Sequence, residues 1–447
     1  MNVSRRLFLK NGGVALASVG LVPAFGPSFL QRAALAQNSL GGKKKKTLVC
    51  VFLRGAADGL SVVVPHGEAE LYRARPNIAI PKNQVVDLDG FFGLHPALEP
   101  LAKIYKDGHL AAVHACGSPN GTRSHFDAMD YMESGAPGSK AVHDGWLARA
   151  VLQCPQDRAN LKKSPFRAVA LGGGLPTALK GDAGALGIPD LRTFGINDPS
   201  AARRNNVRRG DSGADEAMMA GAFATGSAAG GFEALYDQAV GDVLHGTGKE
   251  SFEAIKMLRS VNPASYTPAS GAAYPNGKLG DSLKQIAQLI KADVGVEVAF
   301  ADIGGWDTHA NQIQNGNPAQ GNLSNKLREV GQALAALYAD LGDKMDDVVV
   351  LTMSEFGRTV KQNGTGGTDH GHATCFFALG GSIKGGKVYG DWPGLTPEKL
   401  YENRDLAITT DFRSVFGEVA MKHLGVPDLA KLFPGFDGGT KSFRGLL

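Results

Sequence analysis

The sequence predicts an α/β protein with a mainly parallel central sheet and helices on both of its faces. Three observations lead there. Six short apolar runs rich in β-formers, at 47–53, 110–114, 166–171, 294–301, 348–352 and 376–379, read as strands buried on both sides. Amphipathic stretches at 96–106, 123–133, 281–291, 323–341 and 412–424 lie between several of them, the alternation that builds parallel sheets. Reactive side chains gather where the runs end, the edge at which such sheets bind ligands.

Taken in order, the first run passes into Arg54-Gly55-Ala56-Ala57-Asp58-Gly59. The second, after the helical stretch near Pro96, passes into Gly117-Ser118-Pro119-Asn120-Gly121-Thr122-Arg123-Ser124-His125. The fourth passes into Asp302-Ile303-Gly304-Gly305-Trp306-Asp307-Thr308-His309, and the fifth into Ser354-Glu355-Phe356-Gly357-Arg358 and a loop to Thr368-Asp369-His370-Gly371-His372. Between 197 and 280 the alternation breaks down. Arginine pairs, a Gly/Ala/Met-rich loop, helical segments at 232–243 and 251–258 and a Pro/Ser/Gly-rich loop read as an inserted lid or cap, or equally as a surface elaboration. Thr409-Thr410-Asp411 reads as the cap of the last helix.

Of 447 residues 43% are hydrophobic, enough for a packed core and too many for a disordered chain. At roughly 150 residues per domain the length allows about three domains, or one large α/β unit. The 60 glycines are about twice the usual share of ~7%, which favours many tight turns. No apolar run approaches the ~20 residues that span a bilayer.

Residues 1–36 read as a twin-arginine export signal. Ser4-Arg5-Arg6-Leu7-Phe8-Leu9-Lys10 precedes a mildly apolar stretch and the small-residue site Ala34-Leu35-Ala36. This makes the export machinery a partner and the periplasm or exterior the destination. Residues 37–46, with Lys43 to Lys46, read as a basic tether, leaving 47–447 as the folded domain. Lys plus Arg number 47 against 43 Asp plus Glu, but the leader holds four cations and no acid. Without it the charges balance, so a nucleic-acid partner is not expected. The four cysteines, Cys50, Cys116, Cys154 and Cys375, form no Cys-x-x-Cys pair; Cys50 and Cys375 read as buried thiols, with one or two disulfides left open.

Aspartate, glutamate and histidine arriving from several strand ends supply the anionic oxygens and imidazoles that a divalent cation requires. Asp307 with His309, and His370 with His372, are two apart and point the same way on extended backbone. Asp369 and His370 can share an ion only at a turn, which Gly371 allows. The expected metal residues are Asp58, Asp307, His309, Glu355, Asp369, His370 and His372, holding Zn, Mn or Mg as one ion or two. Thr122 or Ser124 opens a helix, where unpaired N–H groups and a nearby cation would favour a nucleophilic hydroxyl. Ser124 followed by Asp127 also has the look of a plain helix cap, and both readings stand. Arg123 and Arg54 are the expected grips for an anionic ester.

The leader together with Leu53-Arg54-Gly55-Ala56-Ala57-Asp58-Gly59-Leu60, Thr122-Arg123-Ser124-His125-Phe126-Asp127, Gly304-Gly305-Trp306-Asp307-Thr308-His309, Ser354-Glu355-Phe356-Gly357-Arg358-Thr359 and Gly367-Thr368-Asp369-His370-Gly371 resembles the domain-of-unknown-function 1501 family across the mature chain. More distantly it is similar to the alkaline phosphatase, sulfatase and phosphoglycerate mutase superfamily. That resemblance implies an alkaline-phosphatase-like fold, with Asp58, Ser124 or Thr122, Asp307 with His309, and Asp369 with His370 at the metal and nucleophile positions. The sequence departs from the superfamily in the short Asp307-x-His309 spacing. It departs again at the strand end, where Glu355-Phe356 replaces Asp-His and gives Glu355 the ligand role. Cys116 precedes Gly117-Ser118-Pro119-Asn120, which is not a formylglycine sulfatase context. The expected function is an exported metal-dependent hydrolase of small phosphate or related anionic esters, or of an envelope polymer. The alternative is a non-catalytic exported binding protein that keeps the fold; a transferase or mutase on envelope polymers is a third.

Overall fold

The computed structural model describes residues 46–154, 164–192 and 265–447. The leader, the tether up to residue 45 and the expected insertion as far as residue 264 lie outside the described residues.

The main sheet forms because its strands can be buried on both faces. β1 (Thr47–Arg54) lies in its middle, and every residue from Thr47 to Leu53 is buried. Its side chains alternate: Val49, Val51 and Leu53 enter one core, Leu48, Cys50 and Phe52 the other. Burying one such aliphatic or aromatic side chain contributes about 1.5–3 kcal/mol, so two dry faces favour this strand as the centre.

Two short strands of a small antiparallel sheet follow β2 (Val63–Val64): β3 (Val86–Asp87) and β4 (Gly93–Leu94). The main sheet continues with β5 (Leu110–Gly117), β6 (Ala168–Leu171), β7 (Leu186–Ile188), β8 (Val298–Gly304), β9 (Val348–Met353), β10 (Thr374–Leu379), β11 (Val388–Tyr389) and β12 (Thr410–Asp411). Its order is β11-β5-β10-β9-β1-β8-β6-β7, with β12 also on β5. β1 pairs in parallel with β8 (Cys50 opposite Phe300) and with β9 (Cys50 opposite Leu351). β10 runs antiparallel to both of its neighbours. The α/β class with a mostly parallel sheet is therefore the one observed.

Five longer helices cover the faces: α1 (His125–Ser134), α2 (Trp146–Gln153), α3 (Lys278–Lys291), α4 (Asn322–Leu341) and α5 (Phe412–Lys422). α3 and α4 place Leu283, Ile286, Leu327, Val330 and Leu334 on the Val49–Val51 face. α2 and α5 cover the other, where the Trp146 and Phe416 rings stack at 5.1 Å. Asp411 caps α5 by accepting from the Arg413 N–H at 2.9 Å, as its sequence position predicts.

Two expectations shift. The run 294–301 enters the sheet only at Val298, because Glu297 is held by Arg167 at 2.7 Å and Thr47 donates its hydroxyl to the Val296 carbonyl. β5 extends to Gly117, past His114, whose Nε2 lies 2.9 Å from the Val63 carbonyl. All four cysteines are free and buried, so no disulfide forms.

Among the described residues, no helix is long and apolar enough to cross a membrane.

Candidate metal centre

The antiparallel course of β10 sets up the site. β1, β5, β8 and β9 share one direction, so their carboxyl ends meet at one edge. β10 runs the other way and therefore begins there, which delivers residues 369–372 to the same edge. Four strand ends and one strand start thus converge.

The loops that leave them pack closely. Gly55 has φ +117°, and a β-carbon there would come within 2.9 Å of the Asp307 backbone nitrogen. At Gly371 a β-carbon would fall 2.3 Å from the Arg358 carbonyl carbon. Arg358 ties these loops together. Fully buried, its guanidinium donates to the carbonyls of Ala56 (2.8 Å), Gly55 (2.7 Å), Trp306 (3.1 Å) and Thr368 (3.1 Å), and to Asp307 Oδ1.

Three imidazoles and one carboxylate meet above this clamp. One donor atom each from His125, Asp307 and His370 lie within 4.8 Å of one another. His370 Nε2 is 3.0 Å from His125 Nε2, 2.9 Å from His309 Nε2 and 3.2 Å from Asp307 Oδ1. His309 Nε2 lies 3.1 Å from Asp307 Oδ1.

The far side of each ring fixes its tautomer. His370 Nδ1 donates to the Arg123 carbonyl at 2.8 Å, and a carbonyl can only accept. His125 Nδ1 donates to the buried Glu355 Oε1 at 2.7 Å, and His309 Nδ1 to Asp369 Oδ1 at 3.1 Å. Each Nε2 is then left with its lone pair facing the cluster. The single lone pair of His370 faces two other nitrogens and a carboxylate oxygen, and one proton cannot meet all three. A cation can, and imidazoles backed by carboxylates or carbonyls are how proteins prepare such ligands. The donor set fits a divalent ion of the zinc type.

The charge environment differs between the ligating groups. Burial opposes the charge on Asp307, but the Arg358 guanidinium outweighs it and holds the carboxyl below its usual range. The bond to Glu355 raises His125, whereas burial lowers His370 despite its carbonyl partner. Asn363, then His309, keep Asp369 low against a partial burial.

The structure brings Asp307, His309 and His370 of the expected residues together, with Glu355 and Asp369 one bond behind them. Asp58 stands elsewhere. Its buried carboxylate is held by Arg75 at 2.7 and 2.9 Å and by Ser61 and Gln312, because a buried acid needs a partner and Arg75 supplies one. His372 turns away too: its Nε2 donates to the Ser118 carbonyl at 3.2 Å and its ring packs on Tyr401. Ser124 Oγ accepts from the Asp127 N–H as the cap of α1, and Thr122 Oγ1 accepts from the Ser124 N–H. Arg123 pairs with Asp405 and Glu402, both at 2.6 Å, and Arg54 pairs with Asp302 at 2.7 Å and Glu133 at 2.8 Å.

His125 and Arg358 carry much of the site, and neither is assigned a role by sequence position alone. A signal for His125 was present: it directly follows the cap residue at a strand end, opposite Asp307-x-His309. Arg358 had none, because four of its partners are backbone carbonyls and the fifth, Asp307, lies 51 residues away.

The family described as "Protein of unknown function (DUF1501)" matches residues 45–431. The chain belongs to the DUF1501 family. No curated protein matches it in sequence. Among solved structures, this DUF1501 chain is similar to a sulfatase from Pseudoalteromonas sp., at 14% identity and a TM-score of 0.37, over 92% of this chain and 75% of that one. It is also similar to the C-terminal periplasmic domain of EcEptC from Escherichia coli, solved as a complex with Zn, at 10% identity and a TM-score of 0.33, over 76% and 74%. A third is a protein in the alkaline phosphatase superfamily from Vibrio parahaemolyticus, at 11% identity and a TM-score of 0.28, over 76% and 61%.

Proposed function

We propose that this DUF1501 chain is an exported metal-dependent hydrolase of phosphate or related anionic esters, with an envelope polymer or a small ester as substrate. Export rests on the Arg5-Arg6 leader and its Ala34-Leu35-Ala36 site. The chemistry rests on one observation: the lone pair of His370 Nε2 faces two imidazole nitrogens and a carboxylate oxygen, all within 3.2 Å. In this reading His125, Asp307 and His370 hold a divalent ion, Zn, Mn or Mg. Such an ion would supply Lewis-acid polarisation of the ester and a lowered pKa for water.

The chain's own groups do the rest. Glu355 keeps His125 in the Nδ1–H tautomer, and the Arg123 carbonyl does the same for His370. Arg358 aims Asp307. His309 is the most exposed of the three rings, 44% against 21% and 22% for His125 and His370, and Asp369 backs its Nδ1–H. It is therefore suited to take and return a proton at Nε2, as a general base for water and an acid for the leaving oxygen. Ser124 Oγ caps α1 and Thr122 Oγ1 accepts from the Ser124 N–H, bonds that leave each hydroxyl a proton and a lone pair, so in this reading the attacking group is one of these hydroxyls or water.

Purified mature protein should contain stoichiometric metal and turn over aryl phosphate or aryl sulfate. His125→Ala should lose metal and turnover together, whereas His309→Ala should keep metal and lose turnover. Full turnover in a metal-free His125→Ala variant would remove the reading.

The short Asp307-x-His309 spacing and Glu355-Phe356 at the strand end favour a second reading, an exported binding protein without catalysis. Stoichiometric metal with no turnover of any phosphate or sulfate ester would support it.

A further inference from the structure

Most of the cations around the cluster are already paired. Arg54 and Lys278 both pair with Asp302, Arg123 with Asp405, and Arg358 with Asp307 and four carbonyls. Arg404 donates to the His370 carbonyl at 2.6 Å and lies 3.6 Å from Asp405. Lys326 differs. It sits in the second turn of α4, is partly buried, and makes no hydrogen bond or ion pair among the described residues.

Its position is specific. The side chain lies across Gly305, where a β-carbon would come within 2.9 Å of Lys326 Cε and 3.4 Å of Nζ. Gly305 has φ +90° and is two residues from Asp307. The glycine thus provides both the backbone turn and the room for a lysine stem against the loop that leads to Asp307. An ammonium held partly out of water without a counter-ion gains when an anion arrives. Three rotatable N–H donors on one charge suit the oxygens of a tetrahedral anion.

We propose that Lys326 is the substrate-binding residue that holds the tetrahedral oxyanion group of the ester beside the His125–Asp307–His370 cluster. This assignment rests on the hydrolase reading for its substrate, but oxyanion binding can be measured without turnover. It replaces Arg54 and Arg123, whose guanidinia are already paired.

The test is calorimetric titration of the full metal-loaded protein with inorganic phosphate and, separately, inorganic sulfate. The wild type should bind at least one of them, and the preferred ion names the ester class. Lys326→Met should weaken that binding about tenfold or more at unchanged metal content, and Lys326→Arg should restore most of it. Lys344→Met is the charge control: residue 344 lies in the turn that enters β9, at the opposite sheet edge. Equal binding by wild type and Lys326→Met overturns the assignment, as does a wild type that binds neither ion. Lys326-dependent binding without any ester turnover would instead remove the hydrolase reading and leave the oxyanion site in place.

Discussion

His125 Nε2 and His370 Nε2 face each other at 3.0 Å while the opposite nitrogens of both rings are committed to acceptors, Glu355 Oε1 and the Arg123 carbonyl. Two bare lone pairs at that distance repel, so the arrangement is stable only with positive charge between them. Burial lowers His370, so it resists carrying that charge as a proton, whereas the bond to Glu355 raises His125, so a proton there competes with a metal ion for the position.

Glu355→Gln should therefore weaken metal binding by about 10–100-fold, the usual effect of removing a carboxylate behind a ligating histidine. The side-chain volume is kept, but the charge that supports His125 is lost. Competition with a chelator measures it, with thermal melts as the control for folding. An unchanged metal affinity would show that Glu355 does not act through His125.

Arg358→Met should destabilise the protein by about 3–5 kcal/mol, because it leaves four loop carbonyls and the Asp307 carboxylate without their buried donor. Arg358→Lys should recover little, since one ammonium cannot span the directions covered by a planar guanidinium. Denaturant unfolding of the three proteins decides this. Lysine at wild-type stability would contradict the clamp.

Much of the architecture was legible because dry strands must be continuously apolar, as at 47–53 and 348–352. Strand direction was not legible, since an apolar run such as 376–379 reads alike both ways. That matters here: only an antiparallel β10 brings residues 369–372 to the edge where β8 and β9 deliver Asp307 and Glu355. Asp307, His309 and His370 could be picked out as strand-end residues. The placing of Glu355 and Asp369 behind histidines could not, because it depends on pairings 230 and 60 residues apart. Asp58 looked equivalent to Asp307 until Arg75, 17 residues on, proved to be its partner.

Asp58→Ala should lower stability by about 3–5 kcal/mol and leave metal content unchanged, because it strands the buried Arg75 guanidinium. Burial alone would raise the Asp58 carboxyl, but Arg75 outweighs it and the net shift is downward. A carboxyl lowered on folding stabilises above its unfolded pKa of ~3.9 and loses that contribution as pH falls below it. The wild-type advantage over Asp58→Ala should accordingly be full at pH 6 and shrink below about pH 4. Loss of metal at unchanged melting temperature would instead make Asp58 a ligand.

His95, His114 and His423 should set the acid sensitivity between pH 6.5 and 4. All three are buried away from the cluster and lowered to about 4, in each case first by burial. In the unfolded chain each takes up its proton near pH 6.5, while in the folded protein each stays neutral down to about 4. Folding stability is therefore full above pH 6.5 and falls as pH drops, by on the order of 3 kcal/mol per histidine at pH 4. His423→Gln tests one of them: its amide can still donate to the Thr47 carbonyl that His423 Nε2 meets at 3.0 Å, but it cannot titrate. Unfolding free energies at pH 7 and pH 4.5 should differ less in this variant than in the wild type, by about one proton's worth of slope. An identical pH dependence in both proteins would mean that His423 is already protonated in the folded state, and that its burial does not exclude the charge.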